Sequence, residues 1–222
     1  MDLSKSYEYF QPEMVDGKVH IIGCGSVGST IAENLARCGI TKFVLWDFDK
    51  VESKNVVNQM YLPRQVGMKK TEALKEILTE INPDCADEIK IRSGWEGQIV
   101  SGYVFLCVDS ITVRQEFMKV HMKSPTVKAV FDFRTELEGA QHYAADWNNP
   151  QMKEDLFKSM DFTPEEADAD TPVSACGVTL GVATTVRLIC AYGVNNFINF
   201  VKTGEIKKLV LMDGFHFTLD AF

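Results

Sequence analysis

Two hydrophobic periods alternate along the chain. Residues 18–23, 41–46 and 103–108 are short, nearly continuous apolar runs, the pattern of strands covered on both faces. Between the first two, residues 26–38 place Val27, Ile31, Ala32 and Leu35 on one helical face, and Gly39 follows as a stop. Residues 69–81 repeat the helical spacing with Ala73, Leu74, Ile77, Leu78 and Ile81 before Asn82 and Pro83 close it. Further on the pattern predicts a weak strand at 88–92, a helix at 112–123, a strand at 126–133 and an extended run at 138–145. A long apolar helix is expected over about 178–202, although Gly181 and Gly193 weaken it. The chain then alternates around Asp213-Gly214, the signal of a hairpin with a two-residue turn. Residues 146–172 mix Asn-Asn-Pro with an acidic run and read as a mobile surface connection.

The length of 222 residues, 45% of them hydrophobic, bounds this pattern to one α/β domain with one sizeable core. The expected division is a nucleotide-binding part over about 18–133, a crossover loop over about 146–175, and a C-terminal helix and hairpin over about 178–219. A net charge of −8 argues against a chain built to grip nucleic acid or an anionic membrane. No apolar stretch approaches the ~20 residues that span a bilayer, and the polar, aromatic N-terminus is unlike a signal peptide. A cytoplasmic location is the expectation. The six cysteines include no C-x-x-C pair, so free thiols are expected, with neither a disulfide framework nor a structural zinc.

The candidate chemistry begins at Gly23-Cys-Gly25-Ser26-Val-Gly28, which leaves a strand and opens a helix. Glycines there let the backbone approach a phosphate, and the helix start offers unpaired N–H groups. Asp47, ending the second strand, suits a ribose hydroxyl. These features serve ATP and NAD equally well. Lys70 is open to reading as a solvated first-turn lysine, and Asp109 as a cap for the next helix. Their positions after the glycine loop and at a strand's carboxyl end point instead to a ligand.

An ordered series of segments completes the picture: the glycine loop, Trp46-Asp47-Phe-Asp49-Lys-Val51, Asn55-Val-Val-Asn58-Gln59, Val66-Gly-Met-Lys-Lys70, Ile81-Asn-Pro83, Cys107-Val-Asp109-Ser, and Arg114. In this order and spacing the sequence resembles the ubiquitin-activating enzyme superfamily, in its compact ThiF, MoeB and HesA form. The resemblance implies a Rossmann-like fold, a mostly parallel sheet flanked by helices with a C-terminal antiparallel extension. It also implies adenylation, by ATP and Mg²⁺, of the C-terminal carboxylate of a ubiquitin-like or sulfur-carrier protein, by a homodimer. In that scheme Asp47 holds the ribose, Asn55 and Lys70 contact phosphates, and Asp109 holds the metal. Asp49 orients its loop or touches ligand, and Arg114 receives no catalytic step.

Cys176 precedes the long helix, where the helix dipole favours thiolate. Some relatives use a cysteine at a comparable distance as the acceptor of the activated partner, and a small buried residue is the competing reading. The sequence departs from the family at Asn58, where an arginine is usual, and in having no arginine before Gly23. Lys5, Arg64 or Lys69 is then the substitute, Arg64 first because it shares the loop. These departures leave open a non-catalytic partner-binding half, and the glycine loop alone leaves open an NAD-linked oxidoreductase.

Overall fold

A computed structural model of the chain describes residues 1–170, 173–175 and 180–222. Eight strands form one sheet: β1 (Val19–Ile22), β2 (Phe43–Trp46), β3 (Lys90–Arg92), β4 (Gly102–Leu106), β5 (Val127–Thr135), β6 (Gly139–Asp146), β7 (Leu209–Asp213) and β8 (Thr218–Ala221). Their spatial order is β3-β2-β1-β4-β5-β6-β7-β8. The first five neighbours run parallel and the last three pair antiparallel. The predicted mostly parallel sheet with an antiparallel extension is therefore what forms.

β1, β2 and β4 are buried along their whole length, as their unbroken apolar runs require when helices cover both faces. One face packs Ile21, Phe105 and Phe131 against Ile31 and Leu35 of α1 (Ser26–Arg37), Leu74 and Leu78 of α2 (Lys70–Ile81), and Phe197 of α6 (Ala183–Thr203). The other packs Val104, Leu106 and Val130 against Phe117 and Met118 of α3 (Ile111–His121) and Leu156 of α4 (Pro150–Lys158). Phe105 and Phe131 stack at 4.8 Å, and Phe197 meets them edge-on at 5.5 and 5.7 Å. Each such buried ring contributes about 1.5–3 kcal/mol of transfer free energy.

Gly193, a weak point in the expected helix, turns out to be a packing requirement. A Cβ there would lie 2.3 Å from the Phe133 ring, so only glycine lets α6 settle onto β5. Gly204, with φ +77°, then stops α6 in the left-handed conformation.

Three local expectations change. The stretch read as an irregular, mobile connection contains α4 and α5 (Pro164–Asp170). Asn149 caps α4 by accepting from the N–H groups of Gln151 and Met152, and Pro150 sits at its first position, where a missing N–H costs nothing. The long helix starts at Ala183, five residues later than expected. The terminal hairpin closes through residues 214–217, because Asp213 pairs with Thr218. A two-residue turn of the Asp-Gly kind needs positive φ at its centre; here Phe217 carries it, at +55°, while Gly214 does not.

Candidate active site

The three glycines of the first turn have different reasons to be glycine. Gly23 holds φ +92°, and a Cβ would sit 2.7 Å from the Cys107 carbonyl oxygen at the end of β4. Gly28 lies so close under the turn that its Cβ would be 1.9 Å from the Gly23 carbonyl oxygen. Gly25 has neither constraint, for among the described residues a Cβ there would meet nothing within 4 Å. It faces an open cavity and is the N-cap of α1, with no side chain satisfying the helix's first N–H groups and no acidic residue in the first turn. That is a cradle for an anion, held open by the one glycine the fold itself does not need.

The cavity has a volume of about 1450 Å³ and runs along the carboxyl ends of β1, β2, β4 and β5. It exceeds the ~300–1,000 Å³ usual for one small ligand. Gly23, Gly25, Ser26, Asp47, Asp49, Asn55, Asn58, Lys70 and Asp109 all line it. Open parallel sheets gather ligands at this edge, where strand order reverses between β1 and β4.

Asp47 organises the near wall. Its Oδ2 accepts from the Cys24 N–H and its Oδ1 from the Asp49 N–H, both at 2.8 Å, which leaves lone pairs for a further donor. Lys70 starts α2, where a cation opposes the helix dipole, and it is held there by Asp49: Nζ lies 2.7 Å from Asp49 Oδ2, and the Lys70 N–H donates to the Asp49 carbonyl. A lysine placed against its own helix dipole makes sense beside an anion. Asn55 is buried and accepts from the Glu52 N–H through Oδ1, so only its Nδ2 donor remains for a ligand. Asn58 donates to the Gly181 carbonyl at 3.4 Å and reaches across the cavity toward the start of α6.

Arg64 is the predicted residue that the structure does not bring in. It stands outside the cavity, half-exposed, paired with Glu76 and Glu80 on α2 at 3.3 and 2.9 Å. Those two acids lie one helical turn apart and hold the guanidinium on the outer face. In this arrangement Arg64 does not bring its charge to the side of the cavity where Asn58 stands. Gly28 also stands outside the cavity lining, since its work is beneath the turn.

Asp109 is exposed at the cavity wall, and the capping role open to it is taken by Ser110, whose Oγ accepts from the Val113 N–H. Among the described residues Asp109 makes no ion pair. Arg114 is buried one turn further on, its guanidinium bonded to the Val108 and Phe133 carbonyls and paired with Asp132 at 2.9 Å. Cys176 lies outside the described residues. Cys24 and Cys190 are buried, and burial pushes both thiols well up, which suits packing rather than nucleophilic work.

Two groups escape sequence reasoning. Tyr61 is buried, and its hydroxyl donates to the Cys24 carbonyl at 2.6 Å while lying 3.2 Å from the Lys70 carbonyl, so it ties the glycine turn to α2. Burial raises its pKa and keeps it a donor. Nothing in the irregular segment around it announces this. Gln59 lines the cavity with its Oε1 buried and, among the described residues, unpartnered, an acceptor that a bound ligand can satisfy.

Fold and site together define a Rossmann-like domain in which an uncapped helix start, a paired lysine and an exposed carboxylate gather around one cavity. The chain belongs to the ThiF family, whose model matches residues 2–219. A segment of 89 residues, 40% of the chain, is 42% identical to the ubiquitin-like modifier-activating enzyme 5 of Caenorhabditis briggsae, and 71 residues are 46% identical to that of Caenorhabditis elegans. The matched segments span 20% and 17% of those proteins. Among solved structures, Escherichia coli MccB with ATP superposes with a TM-score of 0.69 over 95% of this chain and 65% of MccB, at 17% identity. PaaA gives a TM-score of 0.67 over the same shares, at 16% identity. These likenesses are of fold.

Proposed function

We propose that the chain adenylates the C-terminal carboxylate of a small partner protein with ATP, releasing pyrophosphate. The observation that carries this reading is Gly25: a glycine with no packing duty, open to the cavity at the start of α1. Asp47 offers its remaining lone pairs to the ribose. The α1 N–H groups, Asn55 Nδ2 and Lys70 surround the phosphates.

The barrier lies in bringing a carboxylate onto an already anionic α-phosphate, so donors and cations must disperse the growing charge. The cavity wall carries more acids than bases: nine carboxylates, among them Asp47, Asp49 and Asp109, stand against Lys54, Lys70, Arg114 and Arg134. Lys70 and both arginines are already paired with aspartates. A polyphosphate therefore enters best as its magnesium complex. Asp109, exposed and without an ion pair among the described residues, is the side chain that would hold the ion. Magnesium supplies charge neutralisation on the phosphates.

The cavity's excess volume beyond a nucleotide leaves room for an extended peptide terminus. The relatives' names point to a ubiquitin-like partner, and a sulfur-carrier protein meets the same chemistry. MccB has been crystallised both with ATP and with MccA, a precedent for a nucleotide and a second ligand on this fold. A homodimer in the cytoplasm is part of the proposal, as is transfer of the activated partner to Cys176, whose thiol displaces AMP from the acyl-adenylate to form a thioester. The NAD-linked alternative gives Lys70 and Asp109 no task.

The test is partner-dependent exchange of labelled pyrophosphate into ATP. Lys70→Ala and Asp109→Ala should each lower exchange by about 100-fold or more, the usual scale for removing a transition-state donor. Absence of exchange with the correct partner refutes adenylation. A second reading, a partner-binding half without turnover, is favoured by Asn58, which bonds to Gly181 instead of supplying a charge. It predicts Mg·ATP binding by the isolated chain with no adenylate formed.

A further inference from the structure

Behind the cavity lies a buried charge system that the proposed reaction does not use directly. Asp132 on β5 is fully buried, and each of its oxygens faces an arginine: Oδ2 accepts from Arg134 Nε at 3.0 Å, whereas Oδ1 lies 2.9 Å from Arg114 Nη1 in an ion pair whose geometry falls short of a hydrogen bond. Arg114 spends its other donors on the Val108 and Phe133 carbonyls, fixing the peptide that leads into Asp109. Arg134 spends its own on the end of α4, giving Nη1 to the Ser159 carbonyl at 2.7 Å and Nη2 to Ser159 Oγ at 2.9 Å. Its guanidinium also lies 4.4 Å over the Tyr143 ring and 5.6 Å from that of Phe162. Gln115, next to Arg114 on α3, donates to the Met160 and Phe162 carbonyls of the same α4–α5 junction.

A buried carboxylate between two guanidinium groups is expensive to assemble and persists only where both arginines are held in place by further hydrogen bonds. Here the engaged groups lie at two places far apart in sequence. One is the loop carrying Asp109; the other is the α4–α5 wall, whose Phe162 and Glu166 face the cavity. Arg134 does not need to touch a phosphate to matter, because its two ends are already committed.

We propose that Arg134 is a positioning residue, which sets the Asp109 loop through Asp132 and Arg114 and makes that setting depend on the α4–α5 wall. Because it rests on the nucleotide reading above, the experiment separates the two. ATP binding to the full chain is measured by calorimetry, once with Mg²⁺ and once with EDTA. EDTA reports the metal-independent contacts of the near wall, from the glycine turn, Asp47, Asn55 and Lys70, and the gain on adding Mg²⁺ reports Asp109. In the wild type, Mg²⁺ should tighten ATP roughly tenfold, within the ordinary range of coupling between sites. Arg134→Gln should remove most of that gain while affinity in EDTA changes less than about twofold, and amide exchange at residues 106–110 should quicken. Arg134→Lys keeps a charge for Asp132 but loses the fork onto Ser159, so it should restore only part of the gain.

Direct contact between Arg134 and phosphate would weaken binding in both buffers equally and would overturn the inference. So would a folded Arg134→Gln chain that keeps the full gain. Should Arg134→Gln fail to fold, Gln115→Ala releases the α4–α5 junction without disturbing a buried charge; it should lower the gain in the same direction, and an unchanged gain counts against the proposal. Wild-type binding that Mg²⁺ does not strengthen refutes the positioning role and leaves the nucleotide site standing. No ATP binding in either buffer removes both.

Discussion

The cavity has two walls, built in opposite ways. The near wall, from β1 through α2, is assembled from contacts between neighbouring motifs: Asp47 with the N–H groups of Cys24 and Asp49, and Lys70 with Asp49. Its carboxylates sit at the water's edge with Lys70 buried beside Asp49, and its precision comes from the backbone of one glycine turn. The far wall, from β5 to α5, depends on a fully buried acid, two arginines and the end of a helix; its contacts reach about as far along the chain as those of the near wall, but they join buried groups to one another. One wall presents groups to a ligand, and the other holds a shape. A side-chain change should therefore affect binding in the first and folding in the second, and the exceptions to that rule are the informative cases.

The largest exception should lie in the glycine turn itself. Gly28→Ala drives a methyl to within 1.9 Å of the Gly23 carbonyl oxygen, so the turn or α1 must shift. Overpacking of this severity should cost about 3 kcal/mol or more of stability and abolish ATP binding. Gly25→Val, two positions into the same motif and with open space before it, should leave the melting temperature within a few degrees yet reduce ATP affinity about 100-fold or more, since the side chain occupies the anion's place. Calorimetric melting and ATP titration of both variants measure the split. Equal effects on stability would mean that Gly25 is a folding residue, and the nucleotide reading would lose its main support.

A smaller effect compares the walls through pH. Each holds one buried neutral histidine. His20 on β1 accepts from Trp46 Nε1 and lies 3.0 Å from the Ser101 carbonyl; His142 on β6 sits between the Asp132 carbonyl and the Asn196 amide. Burial lowers both to about 4. With the folded value below the unfolded one of about 6.5, the unfolded chain binds more protons between these values. Stability should be full above about pH 6.5 and fall as pH drops toward 4, by on the order of 2–3 kcal/mol for each imidazole. Denaturant titrations from pH 7.5 to 4.5 should show this for the wild type, with a shallower slope in His20→Gln and His142→Gln alike. If only one variant flattens the slope, the two walls do not unfold as one unit.

The difference between the walls also explains what the sequence could disclose. The glycine turn, Asp47, Lys70 and Asp109 are legible because each follows a strand or opens a helix whose period is plain, and the motif's order supplies the rest. Asp132 and Arg134 look like any polar pair at a strand's end, since nothing in one dimension says that position 114 or 159 lies beside them. The α4 helix was concealed by its own start signal: Asn149-Pro150 is a cap followed by a first-turn proline, and the same dipeptide also marks turns. Arg64 was assigned to phosphate because it shares a loop with Asn58, whereas Glu76 and Glu80, one turn apart on α2, decide where its guanidinium goes.

The smallest expected effect tests whether the near wall's ion pair belongs to folding or to binding. Asp49 is about half-exposed where it meets Lys70, and exposed pairs are worth roughly 1 kcal/mol or less after solvent screening. Asp49→Asn should therefore move stability by under about 1 kcal/mol. It keeps the carbonyl that accepts from the Lys70 N–H, so α2 should start where it does now. What changes is the competition for Nζ: in the free chain Asp49 occupies the cation that an incoming phosphate wants. Removing that carboxylate charge should tighten ATP by about two- to fivefold and make binding more sensitive to salt, as expected when an unscreened cation faces an anion. Weaker ATP binding in a variant of unchanged stability would mean that Asp49 touches the nucleotide or its metal itself, and the division of labour along this wall would move one residue further from the sheet.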